Sequence, residues 1–151
     1  MKAQFNYILY FFISLISVNA QAQKMKDVSD SIFSNNKSFY VTKEIVGDKE
    51  RSIPWADFCF DVNQQPNRHI ILKTKDSTIK REILGKYSVP IYKSNKKEIL
   101  YVFDGFGMKV FKVEDSLDYI LYFYRYISET KSYEHATSLE LLDIMDIFRW
   151  L

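Results

Sequence analysis

The sequence predicts an α+β domain in which an antiparallel sheet of about five to seven strands carries two C-terminal helices packed on one face. Runs rich in aromatic and β-branched residues, separated by turn residues, fill positions 38–113, and such runs are typical of strands. After Glu114 the apolar residues recur at helical spacing, which indicates helices. A length of 151 residues with 47% hydrophobic and 26% charged residues suits one globular domain.

The N-terminal segment, residues 1–22, has the pattern of a cleaved signal peptide. Lys2 supplies a positive charge, Tyr7–Val18 is an uncharged apolar run, and Ala20-Gln21-Ala22 matches the small-x-small cleavage pattern. Cleavage after Ala20 or after Ala22 fits equally. The apolar run is shorter than the roughly 20 residues that span a bilayer, although an uncleaved anchor is the alternative. We therefore expect one exported domain, residues 23–151, in a periplasm or outside the cell, with no membrane span after cleavage.

The mature chain begins with a predicted short helix at Met25–Phe33, followed by a strand at Ser38–Val46 that ends at Gly47. Asp104-Gly105-Phe106-Gly107 separates two β-rich runs and predicts a hairpin. The remaining predicted strands are Trp55–Val62, His69–Lys75, Thr78–Leu84, Tyr87–Lys93, Glu98–Phe103 and Met108–Val113.

The side-chain pattern also predicts a register for the pair formed by Trp55–Val62 and His69–Lys75. Placing Asp61 opposite His69 gathers the apolar side chains on one face and opposite charges on the other. A slip by one residue would exchange the two faces. We therefore expect Asp61 and His69 to be paired.

Two helices are predicted at the C-terminal end. Ser116 is a suitable N-cap, and Leu117, Ile120, Leu121, Tyr124 and Ile127 follow at helical spacing. Ser138 can cap a second helix that runs from Leu139 to the C-terminus. The alternative is a strand at residues 119–127, because the sequence YILYFYRYI also has high β-propensity.

Charge and cysteine content exclude several classes of protein. With 21 basic and 19 acidic residues, the chain lacks the clustered basic character of a nucleic-acid-binding protein. Cys59 is the single cysteine, so no internal disulfide is possible and a disulfide-stapled scaffold is excluded. Cationic residues nevertheless concentrate in the middle strands, where they could steer a charged partner; they are Lys73, Lys75, Lys80, Arg81 and Lys86.

No catalytic, cofactor-binding or metal-binding residue is predicted. Cys59 is flanked on its strand face by Asp57 and Asp61, and nearby carboxylates disfavour the thiolate that a nucleophile needs. The two histidines, His69 and His135, show none of the spacings of a zinc site.

The aromatic cluster in the first C-terminal helix is the best candidate for a partner surface. On a helix these residues would form a second face beside the core stripe, and Tyr and Arg are common interface anchors. Burial of that face under the sheet and the last helix is the alternative. The candidate residues are Tyr119, Tyr122, Phe123, Arg125 and Tyr126.

These observations favour a small exported, non-enzymatic binding protein that acts by protein–protein contact, for example an inhibitor or an immunity-type protein. One alternative is a carrier that holds a small apolar ligand between sheet and helices. A second alternative is a hydrolase with an unrecognised carboxylate site.

Overall fold

The computed structural model describes residues 24–54 and 57–149, which form eleven strands and two short helices. The predicted signal peptide lies outside these described ranges. None of the helices within them has the length and hydropathy to cross a membrane. In chain order the elements are β1 (Met25–Asp27), α1 (Ser29–Phe33), β2 (Lys37–Val46), β3 (Lys49–Ser52), β4 (Phe58–Asn63), β5 (His69–Thr74), β6 (Thr78–Glu82), β7 (Gly85–Pro90), β8 (Lys97–Phe103), β9 (Phe106–Val113), β10 (Asp118–Ile127), β11 (Ser132–Asp143) and α2 (Ile144–Arg149).

All strands belong to one sheet whose order is β6-β5-β4-β2-β11-β10-β9-β8-β7. Two short strands lie off this path, because β1 pairs with β9 and β3 pairs with β2. The two ends of the order, β6 and β7, are neighbours in sequence. Of the residues between them, Ile83 donates its N–H to the Arg68 carbonyl (2.9 Å), and Leu84 donates to the Val102 carbonyl (2.8 Å). The segment formed by Ile83 and Leu84 therefore connects the two ends of the strand order, and the sheet curves round into a closed form.

The interior of this closed sheet is filled with apolar side chains. Phe39, Phe60 and Leu121 come from three different strands, and each is 0% exposed. α1 contributes Ile32 and Phe33 to the same core. Ring contacts continue through this interior, with centroids 6.1 Å apart for Phe39 and Phe60. Burial of these large side chains supplies the main stabilisation of the fold.

A second, smaller apolar cluster covers the opposite face of β8 and β10. It consists of Val89, Leu100, Val102, Tyr124 and Tyr133. The chain after β7 crosses towards β11, where the Tyr92 N–H donates to the Tyr133 carbonyl (2.8 Å). The second half of β8, residues 100–103, is consequently buried on both of its faces.

The predicted fold class is wrong, because the first expected C-terminal helix is the strand β10, and the second, expected from Leu139, is strand as far as Asp143 in β11. These strands pair with each other from Asp118–Leu142 to Ile127–Ser132. The strand alternative for residues 119–127 is the one observed. Helical structure near the C-terminus is limited to α2, whose residues are not buried, and the sheet has eleven strands instead of five to seven.

The error has a physical cause in β10. Its residues Tyr119 and Leu121 face the main core while Tyr122 and Tyr124 face the second cluster, so apolar residues occupy consecutive positions. A strand buried on both faces loses the alternation that identifies a strand, and its apolar positions then also satisfy helical spacing.

Smaller differences occur elsewhere along the chain. The predicted helix at Met25–Phe33 is divided into β1 and the shorter α1. Strand β3 was not predicted, since its sequence KERS is polar at every position and fully exposed. The predicted hairpin at Asp104-Gly105 is confirmed, and Phe103 pairs with Phe106 across this turn.

The predicted register of β4 and β5 is wrong by two residues. Asp61 lies opposite Ile71, and His69 lies opposite Asn63. A shift by two keeps every side chain on its expected face. The observed register brings Val62 opposite Ile70, and both side chains are 0% exposed. Both registers place two apolar pairs on this face, so the side-chain pattern of the hairpin does not distinguish them.

Candidate functional site

A half-enclosed cleft beside α1 is the first candidate site, and we call it the α1 cleft. It has a volume of about 560 Å³, within the range of pockets that bind ligands. Most of its residues are exposed, but Tyr101 in its lining also belongs to the main core. The cleft therefore lies beside α1 on the core-facing side of β8. It is lined by Lys26, Asp27, Val28, Ser29, Asp30, Ser31, Lys86, Ile99 and Tyr101.

Hydrogen bonds to Ser29 hold α1 in place along one wall of the cleft. The Ser29 N–H donates to Asp27 Oδ1 (2.9 Å), and the Val110 N–H donates to Ser29 Oγ (2.9 Å). Ile32 and Phe33, on the same helix, are buried in the core. With these residues turned inward, Asp30 is left facing solvent at the mouth of the cleft.

Asp30 is the centre of a polar group in the cleft. It accepts a hydrogen bond from the Tyr101 hydroxyl (2.5 Å) and pairs with Lys86 Nζ (2.8 Å). The bonds from Lys86 and from Tyr101 hold the pKa of Asp30 below its ordinary 3.8. Burial, followed by the hydrogen bond to Asp30, raises the pKa of Tyr101 to about 12. Near neutral pH the carboxylate is therefore ionised and the phenol is protonated.

The rest of the cleft offers groups that are free for contact with a partner. The Lys26 ammonium and the Ser31 hydroxyl have no ion-pair or hydrogen-bond partner within the described part of the chain. Ile99 supplies an apolar wall and is 55% exposed. These three side chains offer a partner one charged, one polar and one apolar contact.

A second polar group, which we call the Glu98 cluster, lies on the outer face of the sheet. The Tyr124 hydroxyl donates to Glu98 Oε2 (2.9 Å), and Lys109 Nζ lies 3.1 Å from the same oxygen. Burial alone would raise the pKa of Glu98, but the hydrogen bonds from Tyr124 and Lys109 outweigh it and the pKa falls below 4.5. Burial and the bond to Glu98 raise the pKa of Tyr124.

His135 extends the Glu98 cluster onto β11. Its ring centroid is 4.8 Å from that of Tyr122 and 5.3 Å from that of Tyr124. Although the residue as a whole is exposed, partial burial of the imidazole lowers its pKa, against the opposing effects of a backbone hydrogen bond at Thr137 and of the Glu98 charge. The neutral imidazole is therefore the favoured form in the folded protein.

The outer edge of β6 is a third surface feature, and we call it the β6 edge. Thr74 and Ile83 donate their N–H groups to Ser77 and Arg68 respectively. Since antiparallel bonds recur at every second residue, Ile79 and Arg81 point their backbone groups towards β5. The backbone groups of Thr78, Lys80 and Glu82 point away from β5, where no strand of the described chain pairs with them.

Cationic side chains flank the β6 edge. Thr78 lies opposite Lys73, and Ile71 lies opposite Lys80, so Lys73 and Lys80 share one face of the hairpin. Within the described residues neither ammonium has a carboxylate at ion-pair distance, whereas Lys75 lies 3.6 Å from Asp57. Arg81, on the other face, donates to the Lys80 carbonyl (2.8 Å). This accounts for part of the cationic concentration seen in the sequence.

The five residues of the predicted partner surface do not share one face. Tyr119 and Phe123 pack against the main core, while Tyr122 packs against the second cluster. Arg125 and Tyr126 lie at the end of β10, in a groove of about 610 Å³, and Arg125 pairs with Glu134 (2.6 Å). The helix that would have aligned all five is absent. A role for Arg125 and Tyr126 in partner binding stays a prediction.

Cys59 is a free, half-buried thiol on β4. Burial raises its pKa, and the Asp61 charge adds to this effect against the weaker opposition of Lys73. A raised pKa disfavours the thiolate, so the environment does not activate Cys59. In the described ranges no group of three or more His, Cys, Asp and Glu side chains is placed to hold a metal ion.

Comparison with known proteins gives no assignment. No protein-family model, no curated protein and no solved structure matches the chain.

Sequence reasoning did not identify Asp30, Lys86 and Tyr101, or Glu98 and Tyr124. The hydrogen bond from Tyr101 to Asp30 crosses 71 positions of sequence, and the bond from Tyr124 to Glu98 crosses 26. No local motif marks such pairs. Of these five residues only Lys86 had a signal in the sequence, because it belongs with Lys80 to the cationic concentration noted in the middle strands.

Proposed function

We propose that the protein is a small exported binding protein that acts by contact with another protein. The observation that carries this proposal is the filled interior of the closed sheet. Side chains such as Phe39, Phe60 and Leu121 occupy the space that a carrier would keep for its ligand. A carrier needs an enclosed pocket of roughly 300–1,000 Å³, so the filled interior favours recognition at the outer surface.

The protonation states of the polar groups also favour contact over catalysis. Asp30 and Glu98 have lowered pKa values, and Tyr101 and Tyr124 have raised ones. A general acid or base works best with a pKa near the operating pH, and these four groups move away from it. Each is held by a partner in the same molecule, which suits a structural role.

The expected location agrees with this function. The signal-peptide pattern of residues 1–22 predicts export, and a single free cysteine, Cys59, is compatible with an oxidising compartment because it has no partner with which to form an internal disulfide. An inhibitor or an immunity-type protein of the cell envelope is the concrete form that we propose. The α1 cleft and the β6 edge are the surfaces on which we expect a partner to dock.

Site-specific photo-crosslinking in the producing cell tests the proposal. A photoreactive phenylalanine replaces Ile99 in the α1 cleft or Ile79 on β6, and the control replaces Val46 at the end of β2; all three side chains are exposed. We expect a discrete protein adduct, identified by mass spectrometry, from at least one of the first two positions and none from Val46.

Two results would contradict the proposal. The first is the absence of a protein adduct at Ile99 and at Ile79, or an equal adduct pattern at all three positions. The second is a stoichiometric small molecule found by native mass spectrometry in protein purified from its host, which would favour the carrier.

A further inference from the structure

The β6 edge differs from another short strand at the margin of the sheet, β3. In β3 two of the three charged residues are paired, since Glu50 pairs with Lys43 (3.3 Å) and Arg51 pairs with Glu44 (3.3 Å). At β6 the ammonium groups of Lys73 and Lys80 lack such partners among the described residues. The β6 edge therefore combines open backbone groups with uncompensated positive charge.

The outward backbone groups of β6 lie in line with the backbone N–H of Leu84, which is already paired. Leu84 points its N–H in the same direction as Thr78, Lys80 and Glu82, and donates it to Val102 of β8. Next to β6 itself no strand of the described chain pairs on that side. An added strand there would extend the existing hydrogen-bond pattern of the backbone.

We propose that β6 accepts an extended acidic segment of a partner protein as an added antiparallel strand. Backbone groups of Thr78, Lys80 and Glu82 supply the hydrogen bonds, and Lys73 and Lys80 attract carboxylates on one face of the added strand. This inference rests on the proposed function, because it specifies how the partner docks and what chemistry it carries.

The charges also argue against a second copy of the chain as the occupant. Antiparallel pairing of two β6 strands about their centre would place Lys80 opposite Lys80, and directly opposed like charges destabilise a strand pair. Positive charge on an edge strand is a known protection against self-association. The same charge leaves the edge open to an acidic partner.

The Arg81 side chain occupies one backbone acceptor of the β6 edge. Its guanidinium donates to the Lys80 carbonyl, which is one of the outward acceptors. An incoming strand would take over this carbonyl and release the guanidinium to pair with a carboxylate. Arg81→Ala should consequently free the Lys80 carbonyl for an added strand, and it should also remove one positive charge that attracts carboxylates.

Hydrogen exchange measured by NMR on the mature chain, residues 23–151, tests the inference. The probe is a blocked synthetic peptide of sequence TEVEVET at saturating concentration. In the free protein the Thr78 and Lys80 amides should exchange rapidly, whereas the Ile79 and Arg81 amides are protected by β5. With the peptide, exchange at Thr78 and Lys80 should slow by about tenfold or more, and exchange at Ile79 and Arg81 should change little.

Matched controls separate strand addition from attraction by charge alone. The peptide TKVKVKT has the same β-propensity and the opposite charge, and it should give no protection. Lys80→Glu should abolish protection by the acidic peptide, whereas Lys49→Glu on β3 should not. Lys80→Pro removes the outward N–H, which edge strands tolerate, and it should also abolish binding while the Ile79 amide stays protected.

Several outcomes would overturn the inference. They are equal protection by both peptides, protection confined to amides of the α1 cleft, and self-association of the free protein that Lys80→Glu removes. If crosslinking identifies a partner but the alternating pattern at β6 does not appear, the edge inference fails while the proposed function stands. If the pattern appears but no partner is crosslinked, the proposed function fails on its own test.

Discussion

The hairpins β10–β11 and β5–β6 occupy the middle and one end of the same sheet. β10 and β11 lie in its middle and contribute buried residues on both faces, including Leu121 and Leu141 at 0% exposure. β6 lies at the end of the strand order, and all of its residues are exposed. Both hairpins are antiparallel, so burial distinguishes the hairpin that stabilises the fold from the one that we propose as a docking edge.

The largest expected effect comes from truncating the same kind of side chain in both hairpins. Leu121→Ala should lower the free energy of unfolding by about 2–5 kcal/mol, because it leaves a cavity in the packed interior. Ile79→Ala, at a position that is 42% exposed, should change it by about 0.5 kcal/mol or less. Chemical denaturation measures both values, and equal losses would show that the two hairpins contribute alike.

The next effect concerns the hydroxyl of Tyr124 on β10. Tyr124→Phe removes the hydrogen bond to the Glu98 carboxylate, and we expect a loss of about 1–2 kcal/mol. Tyr126→Phe on the same strand is the matched control, because within the described residues its hydroxyl has no hydrogen-bond partner. A comparable loss in both variants would mean that the Glu98 cluster does not stabilise the central hairpin.

The dependence of stability on pH sharpens the comparison further. The folded protein lowers the pKa of Glu98 below 4.5, so its ionised carboxylate stabilises the fold above that value, and the stabilisation is lost as pH falls through the folded pKa. Glu98→Gln should therefore be less stable than the parent near neutral pH, and the difference should shrink below pH 4.5. Urea denaturation across this range measures it, with Glu129→Gln controlling for loss of one surface charge. A difference in stability that does not change with pH would contradict a stabilising role for the Glu98 carboxylate.

The smallest expected effect involves His135 on β11. Because its pKa is lowered from 6.5 in the folded protein, protonation favours the unfolded chain, and stability should decline as pH falls below 6.5. His135→Gln should flatten this part of the profile. An NMR titration of the imidazole gives an independent check, and a pKa at or above 6.5 would contradict the expected direction.

Sequence patterns were informative where turn residues mark the end of a run rich in β-branched and aromatic residues. The Asp104-Gly105 hairpin and the run Ser38–Val46 were predicted because turn residues and β-branched residues mark them directly. β10 and β11 were misread because burial on both faces removes the alternation of apolar and polar residues. The candidate site was beyond the reach of local patterns, since Asp30 and Tyr101 meet only after the sheet has closed.

The register of β4 and β5 illustrates the same limit on a smaller scale. The pattern assigned each side chain to the correct face, but two positions separated by two residues satisfy that criterion equally. The observed pairing places Val62 opposite Ile70, where the predicted one places Phe60 opposite Ile70. Choosing between the two positions requires knowing which apolar side chains the rest of the core covers, and one hairpin alone does not contain that information.

Ile83 and Leu84 join the two ends of the sheet. Their two consecutive amides point to opposite sides and fasten both ends of the sheet. Inserting or deleting one residue here would reverse the direction of every following amide. We therefore expect this segment not to tolerate changes in length. The tip of the β5–β6 turn, at Lys75 and Asp76, carries no such constraint, and an inserted tag or loop should be accommodated there.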